Sequence, residues 1–390
     1  MASVQDVIAA LPALQQPDWG DPEGVERVRK RLSTAPPLVH AEDVAVLRDH
    51  LVVAAAGELQ IVQSGDCAED WAECTPGDLA RKAGLLDVLA GTMAMAAGRP
   101  VLRVGRLAGQ FAKPRSRPYE TVGGVELPVY RGHMVNSPEP DAELRRPDPT
   151  RLLTGYQASK GVMDLLGWRD GPHRSRSGAP VWTSHEALLL DYELPLVRRQ
   201  PDGRLLLTST HWPWIGERTR QLDGAHVALL AAVANPVACK VGPGMTPDDL
   251  LALCERLDPR REPGRLTLIA RMGAGAVGDR LPPLVSAVSA AGHPVVWLSD
   301  PMHGNTVTGP GGLKTRLVTH VAQEVGEFHA AVTGEGGITG GLHLETTPDP
   351  VTECVATRDD LQELGTKYTT LCDPRLNPRQ AVAIASAWRG

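Results

Sequence analysis

Charged and metal-capable side chains recur at fixed points along this chain, each just after a short apolar run. Asp66, Cys67 and Glu69 follow the first run; Arg106, Lys113, Arg115 and Ser116 follow the second; His185 and Glu186 follow the third. Trp214, Glu217, Arg218 and Arg220 accompany the fourth, Lys240 ends the fifth and Arg271 the sixth. Asp300 and His303 follow the seventh, His343 and Glu345 end the eighth, and Asp373 lies further on. Two chemistries separate out of this set. Cys67, His303, Glu345 and Asp373 offer a thiolate, an imidazole and two carboxylates, a donor set that suits a borderline divalent transition metal such as Mn²⁺, Co²⁺, Fe²⁺ or Zn²⁺. Arg106, Lys113, Arg115, Arg218, Lys240 and Arg271 are cations that repel one another unless an anion joins them. Arginine forks grip carboxylate or phosphate in two places and lysine adds a point charge, so a substrate with several negative charges fits. Glu217, among these cations, can orient an arginine or hold a water. Each residue taken singly has an ordinary explanation: a solvated arginine, a satisfied structural histidine, an inert buried thiol, or salt bridges to acids on neighbouring loops. The functional reading rests on their coincidence at every run.

The elements that must position these groups are legible from periodicity. Apolar or β-branched runs lie near 59–64, 100–106, 180–184, 209–215, 237–242, 266–271, 294–299 and 340–345, and helical spacing follows most of them, at 78–97, 187–198, 219–233, 247–257, 281–291, 316–332 and 378–389. Alternation of this kind predicts a parallel α/β sheet. Eight strands are the number that closes a (β/α)₈ TIM barrel, whose catalytic groups gather where the strands end; a doubly wound open sheet is the structural alternative. Residues 1–58 read as an N-terminal helical extension packed on the barrel, with helices at 22–33 and 41–56, and 59–390 as the catalytic barrel. Two stretches break the rhythm: a long connection at 111–150, rich in Pro, Gly and charge, and a basic loop at 168–179, read as exposed.

Composition excludes several classes. The 390 residues are 42% apolar, enough for a sizeable core, but only 4% aromatic with two Phe, so Leu, Val and Ala must fill it. The net charge of −6 and the absence of a basic block argue against nucleic acid. Six cysteines, at 67, 74, 239, 254, 354 and 372, are too scattered for a disulfide framework and include no CxxC pair. The N-terminus lacks the basic and apolar regions of a secretory signal, and no run approaches the length of a membrane span, so a reducing cytoplasm is the expected home.

At these residues the chain resembles a known family. The segments QQPDW, GDCAE, GRLAGQFAKPRS, YRG-x-MVN, TSHEALLLDYE, WIGERTRQLDGAH, NPVACKVGP, RMG, DPMHGNT, GLKTR, VTEC and CDPRLN, spread over nearly the whole length, resemble the class II (plant-type) 3-deoxy-D-arabino-heptulosonate 7-phosphate (DAHP) synthases, the entry enzymes of the shikimate pathway of aromatic amino-acid biosynthesis. The resemblance implies a (β/α)₈ transferase that condenses phosphoenolpyruvate with erythrose 4-phosphate and requires a divalent metal, Mn²⁺ or Co²⁺, and a homo-oligomer, dimer or tetramer. Carried over by motif, it implies metal ligation by Cys67, His303, Glu345 and Asp373, and phosphoenolpyruvate binding by Arg106, Glu217, Arg218, Lys240 and Arg271. It also implies aldose-phosphate binding by Arg115, Ser116 and Lys314, with Arg316 near the same phosphate, and catalytic roles for Lys113 in proton supply and Glu217 in placing water.

The chain departs from the family pattern at Ser64, where QGGDC has Gly, at His133, where YRGD has Asp, at Gly244, and at Ala274–Ala276. His133 and the segment after Arg271 fall on the side expected to read the aldehyde. The alternative that follows is a phosphoenolpyruvate-dependent synthase using an amino or imino analogue of erythrose 4-phosphate, an aminoDAHP synthase of secondary metabolism; a non-catalytic sensor of phosphorylated metabolites is a third reading. The segment around 168–180 is short where larger members carry helices tied to feedback, so little inhibition by aromatic amino acids is expected. Cys372, beside Asp373, is a candidate for oxidative pairing with Cys67.

Overall fold

A computed structural model describes residues 4–168 and 179–389. Eight strands carry the site: β1 Gln60–Gly65, β2 Val101–Arg106, β3 Trp182–Thr183, β4 Trp214–Ile215, β5 Val237–Val241, β6 Leu266–Ala270, β7 Val296–Ser299 and β8 Ile338–Glu345. They form one sheet in the order β3-β2-β1-β8-β7-β6-β5-β4, with helices between successive strands, the arrangement of a (β/α)₈ barrel. The principal helices are α1 Pro22–Ser33, α2 Ala41–Ala55, α3 Pro76–Ala97, α4 Arg151–Leu166, α5 Ala225–Ala232, α6 Pro247–Leu257, α7 Pro282–Ala290, α8 Val318–Gly334 and α9 Pro378–Ala387. No helix among the described residues is long and apolar enough to cross a membrane.

The chain divides into two compact units. The first comprises 1–44, 68–79 and 107–235; the second comprises 45–67, 80–106 and 236–390. In the second, β5 and β6 are buried along their whole length, as strands covered on both faces must be. Its core is aliphatic, from Ile61, Val62, Val104, Leu268, Ile269, Leu298, Leu342 and Leu344. Register levels the functional ends: Gly65 pairs with Arg106 on one side and with Glu345 on the other. Gly341 makes that register possible. At φ +147° it lies against Ile61, and a Cβ there would stand 1.8 Å from the Ile61 carbonyl oxygen.

Helix starts follow the sequence closely where a capping residue precedes proline. Asp21 caps α1, Thr246 caps α6, and Asn377 with Gln380 forms a capping box on α9. Each places Pro in the first turn, where no intrahelical N–H is missed. The expected helix at 187–198 does not form. Leu190–Glu193 is one short turn, Pro195 lies in a 3₁₀ turn, and Val197–Arg199 pairs antiparallel with Leu205–Leu207. The expected helix at 281–291 forms as α7, with a short helical turn at Val277–Arg280 before it. Helix α4 went unread, and the long 111–150 connection contains a hairpin, Tyr119–Val122 against Val125–Pro128. Of the basic loop at 168–179, positions 169–178 lie outside the described residues. Trp168, read as part of that exposed loop, is 2% exposed, and its Nε1 donates to the Val181 carbonyl.

Candidate metal centre and anion-binding groups

The level strand ends of the second unit build one corner. Cys67 follows β1, Glu345 ends β8, and Asp373 sits on the loop before α9. Their ligand atoms all lie within 4.8 Å of one another, with Cys67 Sγ 3.7 Å from Asp373 Oδ2. His303, from the loop after β7, places Nε2 3.3 Å from Glu345 Oε1. Its other nitrogen, Nδ1, is 2.8 Å from Asp300 Oδ2. A carboxylate accepting from Nδ1–H fixes the tautomer that leaves the Nε2 lone pair toward Glu345, the usual support for a metal-binding histidine. Burial alone would raise the Asp300 pKa. His303 and Lys240 outweigh it and hold the carboxyl well below the usual carboxylate range. Glu345 is fully buried between two guanidiniums, Arg316 Nη2 at 2.8 Å and Arg106 Nη2 at 3.3 Å. A thiol and two carboxylates therefore meet in one place, with the His303 imidazole beside Glu345, and this donor set fits a divalent transition metal.

Beside this corner lie three of the six cations. Arg106 is buried and held on several sides: Nε donates to the Asp66 carbonyl at 3.0 Å, Nη1 meets His343 Nε2 at 2.5 Å, and Nη2 reaches Glu345. His343 in turn faces Gln63 Oε1 through Nδ1 at 2.6 Å, so Nδ1 donates and Nε2 accepts from Arg106. Burial first, then Lys240 and Arg106, push the His343 pKa well below its ordinary value. Lys240 pairs with Asp300. Burial pushes its ammonium down to about 8, Asp300 opposes that, and Arg106 and Arg271 add to it. Arg271 is half-buried and makes no ion pair among the described residues. Salt bridging thus accounts for part of the commitments of Arg106 and Lys240, and leaves Arg271 with uncompensated charge near Lys240.

Of the remaining predicted residues, Lys113, Arg115, Ser116, Glu217 and Arg218 belong to the first unit, and Lys314 and Arg316 to the second. Glu69 accepts from the backbone N–H groups of Ala108, Gly109 and Gln110 at 2.8–3.1 Å and so sets the start of the loop that carries Lys113. Lys113 is buried, and its N–H donates to the Arg131 carbonyl at 2.9 Å. Arg115 pairs with Glu120 at 3.1 Å. Arg218 Nη2 donates to Ser116 Oγ at 2.7 Å, so these two residues meet. Glu217 accepts from Arg220 at 2.8 Å, the arginine-orienting arrangement. His185 is a supported structural residue: its Nε2 meets Glu193, whose other oxygen accepts from Ser209.

At the departures, His133 is buried, stacks on Trp71 with centroids 5.0 Å apart, and lies 3.2 Å from Asp70, while Arg151 covers the same Trp71 ring. Ser64 bonds Thr346 within the interior, Gly244 is exposed, and the N–H of Ala274 donates to Asn305 Oδ1.

Sequence reasoning missed residues that hold the ligands. Arg316, expected near the sugar phosphate, is fully buried against Glu345 and the Pro374 carbonyl; Lys314, two residues before it, reaches Asp373 Oδ1 at 2.9 Å. Glu324 of α8 is buried and accepts from the N–H groups of Met272 and Gly273 and from Asn305 Nδ2, tying the loop after Arg271 to the loop of His303. The one available signal was a charged residue on the apolar face of a helical pattern. Cys67 is buried and Cys372 is half-buried.

Comparison with known proteins agrees over the whole chain. The family model described as the class-II DAHP synthetase family matches residues 4–169 and 161–388. The chain is 57% identical over 378 residues to a probable phospho-2-dehydro-3-deoxyheptonate aldolase of Pseudomonas fluorescens, covering 97% of this chain and 94% of that one. It is 40% identical over 423 residues to the phospho-2-dehydro-3-deoxyheptonate aldolase of Streptomyces coelicolor, covering 96% and 94%. Among solved structures it is similar to a phospho-2-dehydro-3-deoxyheptonate aldolase of Francisella tularensis, with TM-score 0.51 and 12% identity over 100% of this chain and 98% of that one, a likeness of fold alone. The chain belongs to the class-II DAHP synthetase family.

Proposed function

We propose that the protein is a 3-deoxy-7-phosphoheptulonate synthase, a transferase that joins phosphoenolpyruvate to erythrose 4-phosphate, giving DAHP and inorganic phosphate at the head of the shikimate pathway. The observation that carries this reading is the corner where Cys67, Glu345 and Asp373 meet with His303 beside them, flanked by Arg106, Lys240 and Arg271. In this reading those four residues hold Mn²⁺ or Co²⁺, which supplies Lewis acidity to the aldehyde oxygen. Arg106, Lys240 and Arg271 bind phosphoenolpyruvate, and the family motifs add Glu217 and Arg218 to that role. Arg115, Ser116 and Lys314 bind the aldose phosphate. The C3 carbon of phosphoenolpyruvate forms the new bond to the aldehyde carbon, whose oxygen takes a proton; Lys113 supplies it. Water placed by Glu217 adds at C2; one of its protons restores Lys113 and the other leaves with the phosphate as the C2–O bond breaks, giving the C2 ketone and inorganic phosphate. Fixed cations lower the barrier because they are already oriented toward the negative charge. The enzyme acts in the cytoplasm as a homo-oligomer.

The test is loss of phosphoenolpyruvate absorbance on adding erythrose 4-phosphate, with matching phosphate release. The expected result is activity that a chelator abolishes and Mn²⁺ or Co²⁺ restores. Binding of phosphoenolpyruvate without turnover would instead identify a metabolite sensor. A second reading changes only the aldehyde. It is favoured by the buried His133 beside Asp70 and by the apolar Ala274–Ala276 segment. Faster phosphate release with an amino or imino analogue than with erythrose 4-phosphate would select it.

A further inference from the structure

Behind the metal corner, a chain of buried charges joins the segments that supply Cys67 and Asp373. Glu353 is fully buried and accepts from the backbone N–H groups of Thr369, Thr370 and Arg375 at 2.8–3.0 Å, so one carboxylate gathers both ends of the loop that carries Asp373. It also accepts from Arg375 Nε at 3.1 Å and Nη2 at 2.9 Å. The same guanidinium turns its Nη1 to Asp66 Oδ1 at 2.7 Å. Asp66 is the residue before Cys67; its other oxygen meets Lys82 of α3 at 2.7 Å, and its carbonyl accepts from Arg106. Burial would raise the Asp66 pKa, but Lys82 and Arg375 outweigh it and keep the carboxylate charged. None of these four side chains belongs to the ligand set. Of these, the bonds of Arg375 to Glu353 and to Asp66 fix how far the Cys67 segment stands from the Asp373 loop, while Lys82 only compensates the second oxygen of Asp66.

We propose that Arg375 is a positioning residue for the metal corner: its planar fork spans Glu353 and Asp66 and thereby sets the Cys67–Asp373 separation before any ion arrives. This rests on the metal reading above. Lysine cannot replace it, because one ammonium on a flexible stem does not bond two carboxylates in fixed directions. Supporting residues around a metal site ordinarily change affinity by about 10–100-fold when lost.

The experiment uses the full chain and Co²⁺ as the probe, read by the near-ultraviolet charge-transfer band of a cobalt–thiolate bond and by equilibrium dialysis. Arg375→Lys is expected to fold, by circular dichroism, to bind Co²⁺ at least tenfold more weakly, and to show a weakened thiolate band. Glu353→Gln provides a second variant that keeps the side-chain shape and is expected to weaken Co²⁺ binding likewise. Lys82→Met, at the far end of the chain, is expected to lower denaturation stability while leaving Co²⁺ affinity within threefold. A folded Arg375→Lys or Glu353→Gln protein with wild-type Co²⁺ affinity overturns the inference, as does an equal loss in Lys82→Met, which would make the network merely structural. Failure of the wild-type protein to develop the thiolate band would instead overturn the metal reading itself.

Discussion

At the residue scale, Lys240 links the two chemistries of the second unit, because it touches Asp300, the support of His303, and stands among the cations proposed to bind phosphoenolpyruvate. The groups that face it are Asp300, which favours its charge, and Arg106 and Arg271, which oppose it; burial is the largest influence and brings its pKa to about 8. Anion binding requires the ammonium form, which is lost as pH rises through that value. The expected outcome is kcat/KM for phosphoenolpyruvate falling above about pH 8 while kcat falls later, since a bound anion raises the lysine pKa. Lys240→Met is expected to lose that limb together with most of the affinity; a flat wild-type profile to pH 9.5 would contradict the assignment. Arg316 shows the limit of carrying roles over by motif. The resemblance puts it near the sugar phosphate with Lys314, yet it lies fully buried against Glu345. Arg316→Met leaves a buried carboxylate short of a partner, so about 3–5 kcal/mol of unfolding free energy should disappear in urea denaturation. Residue types at strand ends left the metal reading open, and the family resemblance carried the four ligand candidates, of which Cys67, Glu345 and Asp373 come together in the structure. Arg316, Glu353 and Arg375 were not legible as supports, because a buried ion pair between distant segments leaves no periodic trace.

At the scale of elements, strands and capped helices read well and the connections did not. The span of α6 matched its sequence expectation because Thr246 and Pro247 mark its start and four apolar residues, Leu250, Leu253, Cys254 and Leu257, mark its buried face. The stretch 187–198 carries the same apolar density, but Pro195 and the pairing of Val197–Arg199 with Leu205–Leu207 override it. Helix α8 contributes an element-level device through Glu324, which joins the loops after β6 and β7. Burial is the main cause of a pKa pushed up to about 7, against the backbone N–H bonds that oppose the rise. A carboxyl whose folded pKa lies above its unfolded value binds more protons when folded. Its stabilising contribution is therefore full at low pH and lost as pH climbs from about 4.5 to 7. The loss should be on the order of 3 kcal/mol. Denaturation at pH 5 and pH 7.5 is expected to show that decline in the wild type and a flatter profile in Glu324→Gln. Equal slopes in both proteins would remove Glu324 from the account.

At the scale of the whole molecule, length separates this chain from some of its relatives. The match to the Streptomyces coelicolor protein extends over 423 residues, more than the 390 of this chain, so that relative holds segments absent here. Phe, Tyr and Trp at sub-millimolar levels are accordingly expected to leave turnover largely intact; a tenfold loss with Trp would contradict this. Metal should also be felt by the fold as a whole. A ligand that binds only the folded state stabilises it by mass action, about 2.7 kcal/mol at a free concentration 100 times Kd. Unfolding entropy scales with chain length, so a cooperative transition of this size should shift by only about 3 °C. Ion pairs of Arg316, Arg106 and Lys314 cross-brace the corner. Chelation should therefore stop catalysis while leaving a folded protein with a slightly lower Tm. Scanning calorimetry with and without Mn²⁺ checks this, with Cys67→Ser as the control that should shrink the shift. Unfolding on chelation alone would mean that the ion holds the barrel together, and that the buried arginines are not sufficient to keep its strand ends in place.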